Sequence, residues 1–379
     1  MSGSPLKTAH RSTILLCATD AGGVRNIAPL IPVCVRQGLR PLLLTSKARL
    51  GLFGDVLSDT ETLIVEDRSA AEWSNILEQV QPRAFIAGTT RFASPDRQMT
   101  PMARSLGIRT VVVLDDWTNY RYRFADLNNG KLVYLPDAIA AADRQAREEA
   151  IAEGVPAHIC HVTGSPALSE LTKLGQTLAE SPPAVPDILQ GAKGRPVITF
   201  LSETHAADYG THPGAVGLMG PYIGYTEITV RQAIIEILGR MAIPLILVEK
   251  LHPAGESQEI EGPLPDNVDY RVTKDAALWP LMWHSHVVIG MRTMALLEAS
   301  ILGCRAVSFQ PGMLGRESCT AVRLGLMPNL ARASDLEAWL AAQLTDQEER
   351  PRVIKLYPFA APDAARRVLN LALDHEGNS

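Results

Sequence analysis

The sequence lacks the features that would place the chain in a membrane or outside the cell. Its longest apolar runs, such as Ile243–Val248, have the length of one strand, whereas about 20 apolar residues are needed to span a bilayer. The segment Met1–Arg11 is polar and contains no apolar signal core. The five cysteines are far apart and form no CxxC pair, which favours reduced thiols. We therefore expect a cytoplasmic protein without a transmembrane segment, for which peripheral membrane contact stays open.

Excess basic charge is also lacking. The 379 residues include 36 Lys and Arg against 41 Asp and Glu, a formal net charge of −5. Nucleic acid as main partner usually requires a basic surface, so we expect none. A small anionic ligand held by a few local cations is compatible with this balance. The neighbouring His284 and His286 have no carboxylate or cysteine beside them to complete a ligand set, so no metal and no other cofactor is predicted.

What the sequence does contain is a repeated alternation of strand-like and helix-like segments. This alternation predicts mostly parallel sheets with helices on both faces. The predicted strands are Ser12–Thr19, Pro41–Thr45, Thr62–Val65, Ala84–Ala87, Thr110–Leu114, Ala138–Ala141, Ile159–Val162, Val197–Leu201, Pro244–Val248, Val268–Val272, Val287–Ile289 and Ala306–Phe309. The predicted helices are Val24–Gln37, Ala70–Gln79, Arg144–Glu153, Glu227–Met241, Thr293–Leu302, Asp335–Leu344 and Asp363–Leu373.

A change of composition suggests where the chain divides. Leu178–Pro196 is rich in Pro, Ala, Ser and Gly, as linkers are. We predict an N-terminal Rossmann-like domain over residues 1–180, a second over 195–355, and a C-terminal helix in 356–379 that packs back across the domains. Open parallel sheets bind ligands beyond the carboxyl ends of their strands. The expected fold class is therefore α/β, with two doubly wound parallel-sheet domains facing a central cleft.

Two candidate motifs follow strands of the first half. In the motif that begins at Asp20, the glycines Gly22 and Gly23 would let the backbone approach a ligand closely. Asp20 itself ends a strand and could act as a base, while the alternative for the whole motif is a tight turn. In Asp115–Phe124 two carboxylates precede a segment dense in aromatic and arginine side chains. Such side chains suit sugars, bases and phosphates, and the alternative is a packed surface loop.

Two further motifs follow strands of the second half. Lys250 and His252 alternate after one strand, so both could face the same side and hold a diphosphate. After another strand, Gly290 leads into a helix that begins near Thr293, where free N–H groups and a hydroxyl suit a phosphate. Glu298, little more than one helical turn further on, could reach ribose hydroxyls. The alternative for the last motif is an ordinary strand–helix joint with a threonine cap.

The segments Lys250–Pro253 and Gly290–Glu298 resemble motifs of the GT-B superfamily, which contains glycosyltransferases and sugar-nucleotide 2-epimerases. The resemblance is nearest to bacterial capsule, polysialyl and glycerophosphate transferases, with an "HP" motif and a downstream Ser/Thr-and-Glu motif. It implies that the C-terminal half binds a UDP-, CDP- or CMP-linked sugar and the N-terminal half an acceptor hydroxyl. The pair Met291–Arg292 departs from the family, which usually has small polar residues there.

The resemblance also implies roles for single residues. His252 and Thr293 would contact phosphate, Glu298 would hold ribose, and residues 271–273 would border the base. The residues predicted to bind the nucleotide sugar are Gly22, Gly23, Arg25, Glu203, Lys250, His252, Arg271, Val272, Gly290, Arg292, Thr293 and Glu298. The predicted catalytic residues are Asp20, Asp116 and His205.

The function expected from the resemblance is a metal-independent glycosyltransferase, in which a base deprotonates the acceptor hydroxyl. One alternative is a sugar-nucleotide 2-epimerase, hydrolysing or not, with Asp116, Glu203 and His205 around the sugar. Another is a non-catalytic binding subunit of the same fold. A transferase consumes its donor only when an acceptor is present, an epimerase needs no acceptor, and a binding subunit consumes nothing. The sequence is compatible with an oligomer.

Overall fold

The structure is a computed structural model that describes residues 12–58, 60–66, 69–90, 94–260, 262–345 and 352–374. The polar segment Met1–Arg11 lies outside the described residues. The chain divides into two compact units, Met1–Glu170 with Leu356–Ser379, and Leu171–Lys355. Each unit is an α/β structure around one parallel sheet, so the predicted fold class of two parallel-sheet α/β domains is confirmed.

The first unit contains a sheet of seven parallel strands in the order β3-β2-β1-β4-β5-β6-β7. The strands are β1 Thr13–Ala18, β2 Arg40–Thr45, β3 Glu61–Ile64, β4 Ala84–Ala87, β5 Arg109–Val113, β6 Ala138–Ala141 and β7 Cys160–Val162. The helices are α1 Ala21–Ile27, α2 Leu30–Arg36, α3 Ala70–Val80, α4 Pro95–Ser105, α5 Tyr120–Phe124, α6 Arg144–Ala152 and α7 Pro166–Glu180, the last of which crosses the division between the units.

The second unit contains six parallel strands in the order β10-β9-β8-β11-β12-β13. The strands are β8 Val197–Leu201, β9 Leu245–Lys250, β10 Val268–Thr273, β11 Val287–Gly290, β12 Ala306–Phe309 and β13 Asn329–Leu330. The helices are α8 His205–Tyr209, α9 Glu227–Arg240, α10 Leu278–His284, α11 Met294–Ile301, α12 Thr320–Arg323 and α13 Ala333–Thr345. A last helix, α14 Ala364–Leu373, returns to the first unit, where it packs on α2 and β5.

The central strands are apolar because both faces of each sheet are covered. Every residue of β1 and β8 is buried, and Val368 and Leu369 of α14 belong to the apolar core of the first unit. Burial on both faces explains why these strands are continuous apolar runs and not alternating patterns. Among the described residues, no helix has the length and apolar character needed to cross a membrane.

Two of the departures from the predicted elements lie in residues 21–36 and 166–180. The single helix expected over Val24–Gln37 is two helices, because the chain is interrupted at Ala28 and Pro29, and proline cannot donate a backbone hydrogen bond. Helix α7 was not predicted, and its last residues lie in the segment that was expected to start the linker.

In each sheet the strand order reverses once, and the loops that follow the strands on either side of the reversal carry polar residues. In the first unit the reversal lies between β1 and β4, and in the second between β8 and β11. The carboxyl ends of strands at such a reversal are where open α/β sheets bind ligands. These two places are therefore the candidate sites, one in each unit.

Candidate functional site

The site of the first unit begins with Asp20, directly after β1. Its Oδ1 accepts a hydrogen bond of 2.6 Å from the Gly23 N–H and so caps α1. Burial, and next the negative charge of Asp115, raise the pKa of Asp20 to about 7. A carboxyl group with this pKa exchanges its proton near neutral pH, as a general acid or base must.

Asp115 follows β5, two strands from β1 in the sheet, and carries the second carboxylate of this site. Its Oδ1 pairs with Arg123 at 2.5 Å and accepts a hydrogen bond of 2.9 Å from the Thr89 hydroxyl. The guanidinium of Arg123 is buried and also donates to Thr89. Arg123 is therefore a buried cation that is paired with Asp115.

The glycines after β1 are needed for contacts within the protein. A Cβ at Gly22 would overlap the Asp115 carboxylate, and a Cβ on Gly88 would lie 2.7 Å from the Cα of Gly23. The Asp115 side chain and the Gly88 backbone therefore approach the backbone of Gly22 and Gly23 closely. The sequence predicts a ligand at this place. Arg25 is exposed on α1. Ligand contacts of Gly22, Gly23 and Arg25 stay predictions.

A third carboxylate, Asp96 on α4, was not identified from the sequence. It is buried and accepts a hydrogen bond of 3.0 Å from the Thr19 hydroxyl. Burial raises the pKa of Asp96 to about 6, although hydrogen bonds from Ser94 and Thr19 act in the opposite direction. Ser94-Pro95-Asp96 is an ordinary helix start in sequence, so only the folding of α4 against β1 reveals this residue.

The aromatic segment after Asp115 is mainly core. Trp117, Tyr120 and Phe124 are buried, so three of the four rings in Asp115–Phe124 are unavailable as surfaces for a sugar or base. The expected aromatic binding surface is therefore wrong, and the alternative of a packed loop describes the segment. The Asp116 carboxylate accepts hydrogen bonds from the Trp117 N–H and the Thr118 hydroxyl within this loop. Its catalytic role stays a prediction.

The site of the second unit is built around Glu203, which follows β8. Its Oε1 lies 3.3 Å from Nε2 of His205, and its Oε2 accepts a hydrogen bond of 2.9 Å from the Arg292 backbone N–H. Burial by itself would raise the pKa of Glu203, but His205 and then Arg292 outweigh it, so the pKa is lowered. Nδ1 of His205 is buried without a hydrogen-bond partner. The structure thus brings together three of the predicted residues.

Helix α11 starts one residue after the predicted position, and Thr293 is its N-cap. The Thr293 hydroxyl accepts a hydrogen bond of 3.2 Å from the Ala295 N–H, which is the structural alternative for this residue. Gly290 ends β11 against the Leu296 side chain. Glu298 is buried on α11, and its Oε2 accepts a hydrogen bond of 2.6 Å from the Trp279 indole. Contact of these residues with phosphate and ribose stays a prediction.

Lys250 and His252 follow β9 but have different partners. The Lys250 ammonium donates to the backbone oxygens of Leu251 and Lys274, and burial lowers the pKa of Lys250. His252 is exposed, and its Nδ1 accepts a hydrogen bond of 3.1 Å from the Ala254 N–H. The pair is therefore not joined by a hydrogen bond.

Arg271 and Val272 lie on β10, an edge strand of the second sheet. The Arg271 guanidinium pairs with Asp269 at 2.8 Å and donates to the backbone oxygens of Ile188 and Gln190. These bonds give Arg271 a structural role, and contact with a nucleotide base stays a prediction. Across the part of the chain that the structure describes, no three His, Cys, Asp or Glu side chains are grouped so that they could hold a metal ion.

Comparisons with known proteins agree with this architecture. No protein-family model matches the chain, and no curated protein matches it in sequence. The UDP-GlcNAc 2-epimerase from Neisseria meningitidis bound to UDP-GlcNAc matches with a TM-score of 0.63 and 14% identity, over 95% of this chain and 99% of that one. The S. aureus MnaA–UDP co-structure matches with a TM-score of 0.64 and 16% identity, over 97% and 99%. The fold is GT-B-like.

The GT-B-like fold also relates the chain to a glycosyltransferase. The glycotransferase of kitacinnamycin matches with a TM-score of 0.53 and 14% identity, over 96% of this chain and 95% of that one. Among the structures compared, 2-epimerases are therefore more numerous and superpose better than the glycosyltransferase. At these identities the likeness establishes the GT-B-like fold and leaves the reaction to be argued from the residues.

Proposed function

We propose that this protein is an enzyme that acts on a nucleotide-activated sugar and inverts its C2 centre, as a UDP-N-acetylglucosamine 2-epimerase does. The observation that carries the proposal is Asp20, a partly buried carboxyl group with a pKa of about 7 near a second carboxylate, Asp115. The full-length likeness to structures bound to UDP-GlcNAc or UDP supports it. This replaces glycosyltransfer, the function expected from the sequence, as the first candidate.

Inversion at C2 requires that the C2–H bond be broken and formed again on the opposite face of the ring. In the proposal the electron pair of that bond forms a C1–C2 double bond as the nucleoside diphosphate leaves C1, and the reverse addition restores the C1–O and C2–H bonds. One group must accept a proton and another must return one, and carboxyl groups can serve in both roles. In the proposal Asp20 is the donor, because a pKa of about 7 leaves it partly protonated at neutral pH. Asp115, paired with Arg123, is the acceptor.

The second unit has the nucleotide-binding role in this proposal. His252 and Thr293 would contact phosphate, and Glu298 would contact ribose, as the sequence predicts. Binding is tested by thermal shift with UDP, CDP, CMP, GDP and dTDP, because a ligand that binds only the folded state raises the melting temperature. We expect the largest shift with UDP. No shift with any of the five would favour a non-catalytic subunit or another kind of ligand.

The reaction is tested by incubating the protein with UDP-GlcNAc in D₂O without an acceptor. We expect a second sugar signal in the NMR spectrum and deuterium at C2, because the returning proton comes from an exchangeable carboxyl group. The D20N variant, which keeps the capping oxygen but cannot titrate, serves as the control and should form neither. Binding of UDP without deuterium exchange would contradict the epimerase proposal.

Glycosyltransfer is the second candidate, since the kitacinnamycin glycotransferase shares the fold and a carboxylate with the pKa of Asp20 could also deprotonate an acceptor hydroxyl. In that case UDP-GlcNAc alone would stay intact, and hydroxyl acceptors would trigger release of UDP. The D₂O experiment separates the two reactions, because only epimerisation proceeds without an acceptor.

A further inference from the structure

The guanidinium of Arg292, directly after β11, is held only by neutral side chains. It stacks over the Tyr209 ring, with 4.4 Å from Cζ to the ring centroid, and donates to the Tyr209 hydroxyl. It also donates to the Ser318 hydroxyl at 3.2 Å. Within the described chain, no carboxylate lies at ion-pair distance from this half-buried cation, in contrast to Arg123 and Arg231.

A guanidinium that leaves water without an anionic partner loses hydration that neutral hydroxyls only partly replace. Tyr209 and Ser318 fix the plane and direction of the group, but they do not neutralise its charge. Arginine in such a fixed position is well suited to bind an oxyanion, because its planar fork matches carboxylate and phosphate oxygens.

Two acidic residues of this region, Glu203 and Glu317, have other partners. Glu203 uses Oε2 for the Arg292 backbone N–H and faces His205 with Oε1. The Glu317 carboxylate accepts hydrogen bonds from the Gln310 and Asn329 amides and from the Cys319 N–H. Both carboxylates are therefore engaged away from the guanidinium of Arg292.

Two backbone N–H groups near the start of α11 are engaged as well. The backbone N–H of Arg292 binds Glu203, and the Ala295 N–H binds the Thr293 hydroxyl. An anion that approached the start of α11 would have to displace these contacts. The Arg292 guanidinium offers N–H donors in addition to these two backbone groups.

We propose that the Arg292 guanidinium binds a phosphate oxygen of a nucleoside diphosphate, and that Tyr209 and Ser318 are positioning residues that hold it for this contact. The inference rests on the proposed function and deepens it, since it transfers phosphate recognition from the helix start to a side chain. It also assigns a function to Arg292. In the family that the sequence resembles, this position usually has a small polar residue.

The test is calorimetry of wild type and variants with three probes: uridine, UDP and inorganic pyrophosphate. We expect R292M to weaken UDP and pyrophosphate about 10- to 100-fold, the usual effect of losing a charged hydrogen bond, and to change uridine less than about twofold. R292K keeps the charge but not the fork or the stacking, so its loss should be intermediate. S318A should weaken UDP by a smaller factor and leave uridine unchanged.

Arg240→Met is the matched control, because Arg240 is an exposed arginine of the same unit that pairs with Glu337. It should leave all three affinities unchanged. Equal affinities of wild type, R292K and R292M for UDP and pyrophosphate would overturn the inference, as would equal losses for UDP and uridine. Binding of pyrophosphate that depends on Arg292, without binding of UDP, would support the oxyanion site and reject the nucleotide-sugar function. Absence of pyrophosphate and UDP binding in wild type would overturn both.

Discussion

The carboxylate of Asp115 lies directly against the Cα of Gly22, so that no side chain fits at this position. The contact joins the loop after β5 to the first turn of the helix after β1. It places the Asp115 charge near Asp20, whose pKa it helps to raise. The glycine that resembles a ligand-binding turn in sequence therefore serves to bring two carboxyl groups together.

Gly22→Ala should displace the Asp115 carboxylate and reduce activity at least tenfold, with a loss of about 1–3 kcal/mol in the free energy of unfolding, as for other overpacked sites. Urea unfolding and the UDP-GlcNAc exchange assay measure the two effects. G51A is the control, because a Cβ at Gly51 meets no atom within 4 Å. D115A by itself leaves the buried Arg123 without its partner, so the double variant G22A/D115A should be about as stable as D115A and also inactive, and additive losses in stability would contradict the contact.

Asp20→Asn should change how stability depends on pH. The pKa of Asp20 is about 7 in the folded chain and about 3.9 in an unfolded one. The folded state therefore holds a proton that the unfolded state has lost, and wild type loses stability as pH rises from about 4 to 7. Asn avoids this loss, so D20N should gain about 1–4 kcal/mol over wild type at pH 8 and little at pH 4.

Chemical unfolding at a series of pH values measures this difference. Asn is a suitable replacement because its amide oxygen can still accept the hydrogen bond from Gly23 that caps α1. A stability difference that is the same at pH 4 and pH 8 would show that Asp20 has an ordinary pKa. It would also remove the main support for its role as proton donor.

His252→Ala should weaken UDP binding about tenfold, since it removes one phosphate contact. The side chain is exposed and takes part in a turn through Nδ1, so the melting temperature should hardly change. Calorimetry checks the affinity, and H158A, at an exposed histidine of the first unit, is the control. Unchanged UDP affinity in H252A would remove His252 from the proposed site.

Arg231→Met should destabilise the second unit by about 3–5 kcal/mol, because it leaves the buried Glu249 carboxylate without its cation. The Tyr270 hydroxyl also donates to Glu249, but a neutral partner does not compensate the charge. The double variant R231M/E249M should be more stable than R231M alone. If the single variant unfolded at the wild-type urea concentration, this ion pair would have no structural importance.

Much of the fold could be predicted because strands buried on both faces leave a clear trace in the sequence. Runs such as Ala84–Ala87 and Val197–Leu201 have the predicted limits in the structure. The two helices at residues 21–36 were predicted as one, since an apolar helical pattern continues across the break. Helix α7 is hard to predict because its last residues lie in the segment rich in Pro, Ala, Ser and Gly whose composition is typical of a linker.

The candidate sites could be predicted only in part. Residues that directly follow a strand, such as Asp20, Glu203 and Arg292, are found by their position in the alternation of strands and helices. Asp96 and Tyr209 come from helices of ordinary appearance, and no local pattern distinguishes them. The aromatic rings after Asp115 were misinterpreted, because composition does not show whether a ring faces the core or a ligand.

The sequence by itself determined the two parallel sheets and the strand ends at which polar residues accumulate, because both follow from hydrophobic periodicity along the chain. The tertiary structure alone decided which of these residues meet. Proton affinity and charge compensation depend on burial and on distances of a few ångströms between residues far apart in the chain. Thus the pKa of Asp20 is raised by burial and by Asp115, 95 positions away. Among the described residues no carboxylate forms an ion pair with the Arg292 guanidinium, and Glu203 and Glu317 bind other groups.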